Sequence, residues 1–317
     1  MQIVILDGKT LNPGDLSWAP LEELGEVKVY ERTAEHEVAG RCKDADIILT
    51  NKAIVNEATI NSLDKLKYIG VTATGFNIVD VQAAKRRNII VTNVPAYGTA
   101  SVAQLTFSLI LEHCFNVGRH AISVREGEWA GSKDFSYWKA PLTELSGKTL
   151  GIIGLGQIGQ AVARLGLAFG MQVIASHKHP ERDKMVGVRF VDLETCFSEA
   201  DFVSLHCPLN NDNKGFVNKE LLARMKPSAF LVNTSRGPLI NEADLADALN
   251  NNQIAGAGLD VLAQEPPAAD NPLLKAKKCI ITPHIAWATT EARRRLMSVV
   301  IDNVKAFVDG RPQHVVG

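Results

Sequence analysis

At 317 residues the chain is long for a single hydrophobic core and suits two domains of ordinary size. Apolar residues make up 46% and charged residues 22%, a soluble globular profile. The formal net charge of −1 gives neither the basic excess of a nucleic-acid binder nor an acidic solvating tail. No apolar run approaches the ~18 residues that span a bilayer. Met1–Asp7 runs straight into a strand pattern without a signal-peptide layout, so the expected compartment is the cytoplasm and no membrane partner is expected. Cys42, Cys114, Cys196, Cys207 and Cys279 are scattered without a CxxC pair. They predict buried, reduced thiols, with no disulfide framework and no metal site.

In chain order, Ile3–Leu6, Val27–Tyr30, Ile47–Thr50, Tyr68–Val71 and Ile89–Val91 read as strands, being short, β-branched and bounded by turn or charge signals. Val55–Leu66 and Val79–Arg87 have helical spacing. This alternation predicts a parallel sheet covered on both faces. Ser101–His120 reads as one long helix, and Arg125–Leu145, rich in Gly, Trp, Lys and Pro, as an irregular surface excursion. A second α/β series follows. Its strands are Thr149–Gly154, Val173–Ser176, Phe202–His206, Ala229–Asn233, Gly256–Asp260 and Cys279–Thr282, with helices at Ile158–Phe169 and Asn241–Asn250. The last helix, Thr290–Asp309, is amphipathic, and spacing does not say which series it joins. The fold class is therefore α/β, with two doubly wound parallel-sheet domains.

Gly154-Leu155-Gly156-Gln157-Ile158-Gly159 is a GxGxxG, and it follows a strand and opens a helix. Gly154 permits the tight turn, Gly156 lets the backbone approach a pyrophosphate, and Gly159 lets helix and strand pack closely. The helix N-terminus, at Gln157 and Ile158, offers N–H groups to phosphate. This pattern predicts a nicotinamide dinucleotide, NAD(P). An NAD enzyme usually carries an acidic residue at the end of the next strand. Here that strand ends Ser176-His177-Lys178, so a cationic His177 and a Ser176 hydroxyl tilt the expectation slightly towards NADP.

Three further segments follow later strands: Asn233-Thr234-Ser235-Arg236-Gly237, Asp260–Pro267 with Glu265, and Thr282-Pro283-His284-Ile285-Ala286-Trp287. Open α/β sheets bind ligands at such strand ends. Reduction of a 2-keto acid needs a planar cation for the carboxylate and ketone, which suits Arg236. It also needs a proton donor near neutral pH, which suits His284, oriented by a carboxylate, Glu265. Any one of the three alone would be an ordinary surface or turn residue.

With these segments and Leu205-His206-Cys207-Pro208-Leu209 in hand, the chain resembles the D-isomer-specific 2-hydroxyacid dehydrogenases over essentially its whole length. His284-Ile285-Ala286-Trp287 and Phe135-Ser136-Tyr137-Trp138 point within them to the glycerate dehydrogenase or hydroxypyruvate reductase branch. The resemblance implies two Rossmann-like domains. A discontinuous, flavodoxin-like substrate domain would comprise 1–98 and 286–317, and an inserted NAD(P)-binding domain 99–285. It implies Arg236, Glu265 and His284 as the catalytic residues. It further implies that Thr74, Cys207, Pro208, Thr234, Ser235, Asp260, His284 and Ala286 contact the coenzyme, and that Ala73, Thr74, Gly75 and Phe76 join Arg236 and His284 at the substrate. The expected substrates are hydroxypyruvate/D-glycerate or glyoxylate/glycolate, and the expected assembly is a homodimer. Alternatives on the same scaffold are an NAD(H)-sensing corepressor-like protein and a formate or phosphite dehydrogenase.

Overall fold

The computed structural model describes residues 1–317, which divide into two compact units: Met1–Gly98 with Ala288–Gly317, and Thr99–Trp287. In the first unit the strands are β1 (Gln2–Ile5), β2 (Glu26–Val29), β3 (Ile47–Thr50), β4 (Tyr68–Val71) and β5 (Ile90–Thr92). They form one parallel sheet in the order β2-β1-β3-β4-β5, the flavodoxin-like order. Central β3 and β4 are wholly buried and almost wholly apolar, while β2 (Glu-Val-Lys-Val) is an exposed, charged edge strand. Asn56 and Asp80 cap the helices Glu57–Ser62 and Val81–Arg86 with side-chain acceptors. The Thr290–Val308 helix belongs to this unit. It buries Leu296, Val300 and Val304, and the Phe307 ring lies 4.7 Å from that of Tyr68. Arg293 on this helix donates to both carboxylate oxygens of Asp15, at 2.7 and 2.6 Å, and to the Leu11 carbonyl.

The second unit contains β6 (Thr149–Ile153), β7 (Gln172–Ser176), β8 (Val188–Phe190), β9 (Phe202–Leu205), β10 (Phe230–Asn233), β11 (Gly256–Leu259) and β12 (Cys279–Ile281). All are parallel, in the order β12-β11-β10-β9-β6-β7-β8. Strand order reverses at β6, so a crevice opens between the carboxyl ends of β6 and β9. Apolar cores cover both faces: Leu231 of β10 joins one cluster, Phe230 and Val232 the other. The two ends of this unit meet, since the Ser101 hydroxyl donates to the Ala286 carbonyl at 2.5 Å.

Two sequence expectations need correction. The helix expected over Ser101–His120 is two helices, Thr99–Phe115 and Val117–Arg125. Asn116 separates them in the left-handed region (φ 47°), which Asn tolerates better than most residues. Edge strand β8 was missed, because three residues with Arg189 in the middle carry no periodic signal. All five cysteines are free. Cys42, Cys114 and Cys196 are buried as expected, but Cys207 and Cys279 are partly exposed. No helix is long and apolar enough to cross a membrane.

Burial also fixes a pH dependence. The His113 ring stacks on Phe230 with centroids 4.1 Å apart. Desolvation, aided by Lys278, pushes its pKa down from 6.5 to about 4, and desolvation pushes His206 down to about 3. In the unfolded chain both take up a proton near about pH 6.5, whereas in the folded protein they stay neutral until far lower. Their stability contribution is therefore complete above that pH and is lost as pH falls towards 4, at up to about 1.4 kcal/mol per unit for each group. Urea midpoints measured between pH 7 and pH 4.5 should fall steadily, and His113→Phe should remove about half of this slope. An unchanged slope in that variant would refute the assignment.

Candidate active site

The crevice at β6 is built for close backbone approach. Gly154 has φ +95°, and a Cβ there would stand 2.7 Å from the Cys207 amide nitrogen in the loop after β9. At Gly159 a Cβ would lie 2.2 Å from the Gly154 carbonyl oxygen. Gly156 differs, because a Cβ there meets nothing within 4 Å, so open space lies in front of it. Gly156 is the N-cap of the Gln157–Ala168 helix, provides no side-chain cap, and is followed by no acidic residue in the first turn. Gln157 is exposed and Ile158 packs against the core below. An uncapped helix N-terminus with space before it fits a dinucleotide pyrophosphate. Replacing Gly159 with Ala should force the turn open. Titrated coenzyme affinity should then fall by about tenfold or more and the melting temperature should drop with it. A variant that bound normally would show that the turn tolerates the shift.

At the end of β7 the sequence expectation fails on one point. His177 is not a free cation: its Nδ1 accepts the Leu155 N–H at 3.0 Å, and its Nε2 donates to Asp183 Oδ2 at 2.6 Å. An Nδ1 that accepts carries no proton, so the ring is in its neutral Nε2–H form. Arg182 also donates to Asp183 Oδ2, at 3.0 and 2.6 Å, and these partners hold the Asp183 carboxyl down at about 2. The Ser176 carbonyl accepts the Gly154 N–H, and Lys178 is exposed.

Three neighbouring strand ends carry the catalytic candidates. After β10, fully buried Asn233 shapes the turn: its Oδ1 accepts the Ser235 N–H, and its Nδ2 donates to the Arg236 carbonyl. Ser235 Oγ donates to the Cys207 carbonyl, and Thr234 Oγ1 lies 3.1 Å from Thr106 Oγ1. The Arg236 side chain is exposed and bonds only its neighbouring Ser235 carbonyl, at 2.7 Å. Gly237 packs so tightly on the next loop that a Cβ would sit 1.9 Å from the Leu262 carbonyl carbon. After β11, Glu265 Oε1 accepts the Leu262 N–H, and Glu242 holds the same loop through Ala263 N and Asn271 Nδ2. After β12, His284 has φ +54°, and its Nδ1–H donates to Glu265 Oε2 at 2.6 Å. Nε2 is the ring nitrogen left for another partner.

Asp260 lies beneath His284 and is 1% exposed. Its carboxylate accepts from the Thr282 hydroxyl at 2.6 Å and from the Ile285 and Ala286 amides at 2.8 Å each, while its own carbonyl accepts the His284 N–H. Desolvation raises its pKa despite these bonds. The structure thus makes Asp260 the brace of the His284 segment. Pro208 is fixed through its carbonyl by Asn213 Nδ2.

In the first unit, Ala73–Phe76 form a loop after β4. Asn51 Nδ2 bonds the Thr72 carbonyl, Thr74 Oγ1 donates to the Val94 carbonyl, Asn93 Nδ2 bonds the Thr74 carbonyl, and Val94 N bonds the Ala73 carbonyl. The Ala73 and Thr74 carbonyls are thereby tied down. The Phe76 ring is exposed.

Residues 107–286 match the model of the D-isomer specific 2-hydroxyacid dehydrogenase NAD-binding domain. The chain belongs to that family. This dehydrogenase is 49% identical to a hydroxypyruvate reductase of Blautia hydrogenotrophica over 100% of its own length and 99% of the relative's. It is 40% identical to a glycerate dehydrogenase of Methylorubrum extorquens over 99% and 98% of the two chains. Among solved structures, an acyclic imino acid reductase in complex with NADPH and D-Arg superposes with a TM-score of 0.87 at 31% identity, covering 100% of both chains. The dehydrogenase is therefore an oxidoreductase for 2-hydroxy acids with a nicotinamide coenzyme. These relatives do not favour the corepressor or formate/phosphite alternatives.

In the sequence Asn233 stands out only as part of a motif, and Asp183 and Glu242 do not stand out. Asp183 had a faint signal, as an acidic residue about the right distance beyond the glycine motif. Glu242 had none, since it acts across a loop 21 residues away.

Proposed function

We propose that this dehydrogenase interconverts a small 2-keto acid, hydroxypyruvate or glyoxylate, and the corresponding 2-hydroxy acid, and that Arg236, Glu265 and His284 carry the reaction. The observation that carries this reading is the 2.6 Å bond from His284 Nδ1–H to Glu265. When bound, the nicotinamide supplies or accepts the hydride. With Nδ1 committed as a donor to a carboxylate, His284 Nε2 is the nitrogen that gives a proton to the developing alkoxide and takes it back in the oxidative direction. Glu265 stabilises the protonated imidazole and fixes its orientation. Arg236, on a turn locked by Asn233 and Gly237, offers its planar fork to the substrate carboxylate and ketone. Ala73–Phe76, with Thr74, supply further substrate contacts in this reading. Gly154–Gly159, Cys207, Pro208, Thr234, Ser235, Asp260 and Ala286 line or brace the coenzyme site. With both His177 nitrogens engaged, only Ser176 and Lys178 remain at this corner to favour NADP.

A homodimer is part of the same proposal. Val117, Ile122, Trp129, Phe135, Trp138 and Leu142 are large apolar side chains left exposed on the second unit, and a partner copy would cover such residues. Cytoplasmic placement is supported by five free thiols.

The deciding experiment is initial-rate kinetics with hydroxypyruvate, glyoxylate and pyruvate. Hydroxypyruvate or glyoxylate should be reduced fastest, and His284→Ala should lower kcat by about 10²–10⁴. Arg236→Lys should raise KM for the keto acid and lower kcat, because a point charge does not replace a bidentate fork. Wild-type turnover in His284→Ala, or silence of the native enzyme on all three acids, would overturn the reading.

A further inference from the structure

The corner behind the glycine turn holds an anion seat that is already filled. His177 is the first residue after β7, where a Rossmann domain meets the adenosine ribose. Three donors converge there on one oxygen: His177 Nε2–H at 2.6 Å, Arg182 Nη2 at 2.6 Å and Arg182 Nε at 3.0 Å, all to Asp183 Oδ2. Convergent N–H donors on a single oxygen are what a ribose 2′-phosphate would require. The other oxygen, Asp183 Oδ1, accepts no bond within the chain and is free for a hydroxyl. The ring that presents this carboxylate is itself fixed to the turn by the Leu155 N–H.

We propose that Asp183 is the coenzyme-selecting residue of this dehydrogenase: Oδ2 occupies the seat of a 2′-phosphate, Oδ1 accepts a ribose hydroxyl, and His177 is the positioning residue that joins this selection to the phosphate turn. The chain thereby favours NAD(H) although no acidic residue ends β7. The carboxylate reaches the corner from a loop, six residues further on. A bound 2′-phosphate would have to expel a carboxylate that stays charged at any working pH and would leave two negative groups facing the same donors. This inference rests on the coenzyme-dependent reaction proposed above, but it is tested by binding alone.

The test is titration of NADH and NADPH into the whole protein, followed by coenzyme fluorescence, for wild type, Asp183→Asn, Asp183→Ala, His177→Ala and the double variant Arg182→Ala/Asp183→Asn. Wild type should bind NADH about tenfold or more tightly than NADPH. Both Asp183 variants should shift that ratio towards NADPH by about tenfold, and the shift should vanish when Arg182 is also removed, since Arg182 is then the donor released to the phosphate. His177→Ala should weaken both coenzymes and also narrow the ratio, whereas a purely structural role would weaken both alike. A wild type that prefers NADPH, or a ratio that neither Asp183 variant moves, would overturn the proposal while leaving the dehydrogenase reading intact. Binding of neither coenzyme to wild type would overturn both.

Discussion

The buried carboxylate of Asp260 constrains everything at the carboxyl ends of β11 and β12. A charge that is 1% exposed carries a desolvation cost of several kcal/mol, which only nearby donors offset. No cation bonds it. Its donors are one hydroxyl and two backbone amides, all from residues 282–286. That segment therefore cannot relax without stranding a charge. The positive φ of His284, a conformation that non-glycine residues adopt only when their surroundings impose it, is held in this way. The histidine's reach to Glu265 follows from the brace below it.

The same logic repeats around the sheet edge. Asn233 folds the Arg236 turn, Glu242 holds the 262–271 loop, and Ser235 ties the β10 loop to the β9 loop. Each exposed group that could act on substrate stands on a buried polar group that does not. Such hydrogen-bonded underlayers fix geometry to within fractions of an ångström, the tolerance that reacting atoms demand. Where backbone must touch backbone, at Gly154, Gly159 and Gly237, the sequence places the one residue without a Cβ.

Much of this was legible beforehand. Strands Ile47–Thr50 and Tyr68–Val71 were read to the residue, because short β-branched runs between turn signals have few other uses. The glycine motif was legible from its strand-helix context. Arg236, Glu265 and His284 were singled out because each follows a strand. Tertiary exchange of partners was not legible. His177 read as a free cation because no local rule shows that Leu155 and Asp183 occupy both its nitrogens. The break at Asn116 escaped notice because that single residue is all that separates the two helices. Asp260 was quoted as part of a motif, yet its work as a brace depends on a loop some 25 residues downstream.

One small bond bears on how such a chain comes to fold. The sheet of the first unit is complete by Thr92, but the helix that covers β4 follows only after the whole of Thr99–Trp287. As an unstructured loop, that intervening stretch would cost about 5 kcal/mol in closure entropy. The Ser101–Ala286 hydrogen bond places the two ends of the second unit side by side. Once that unit has folded, the distance along the chain ceases to matter: the covering helix is delivered as though it followed the sheet by a short turn. The inserted unit thus doubles as a clasp for the chain that enters and leaves it.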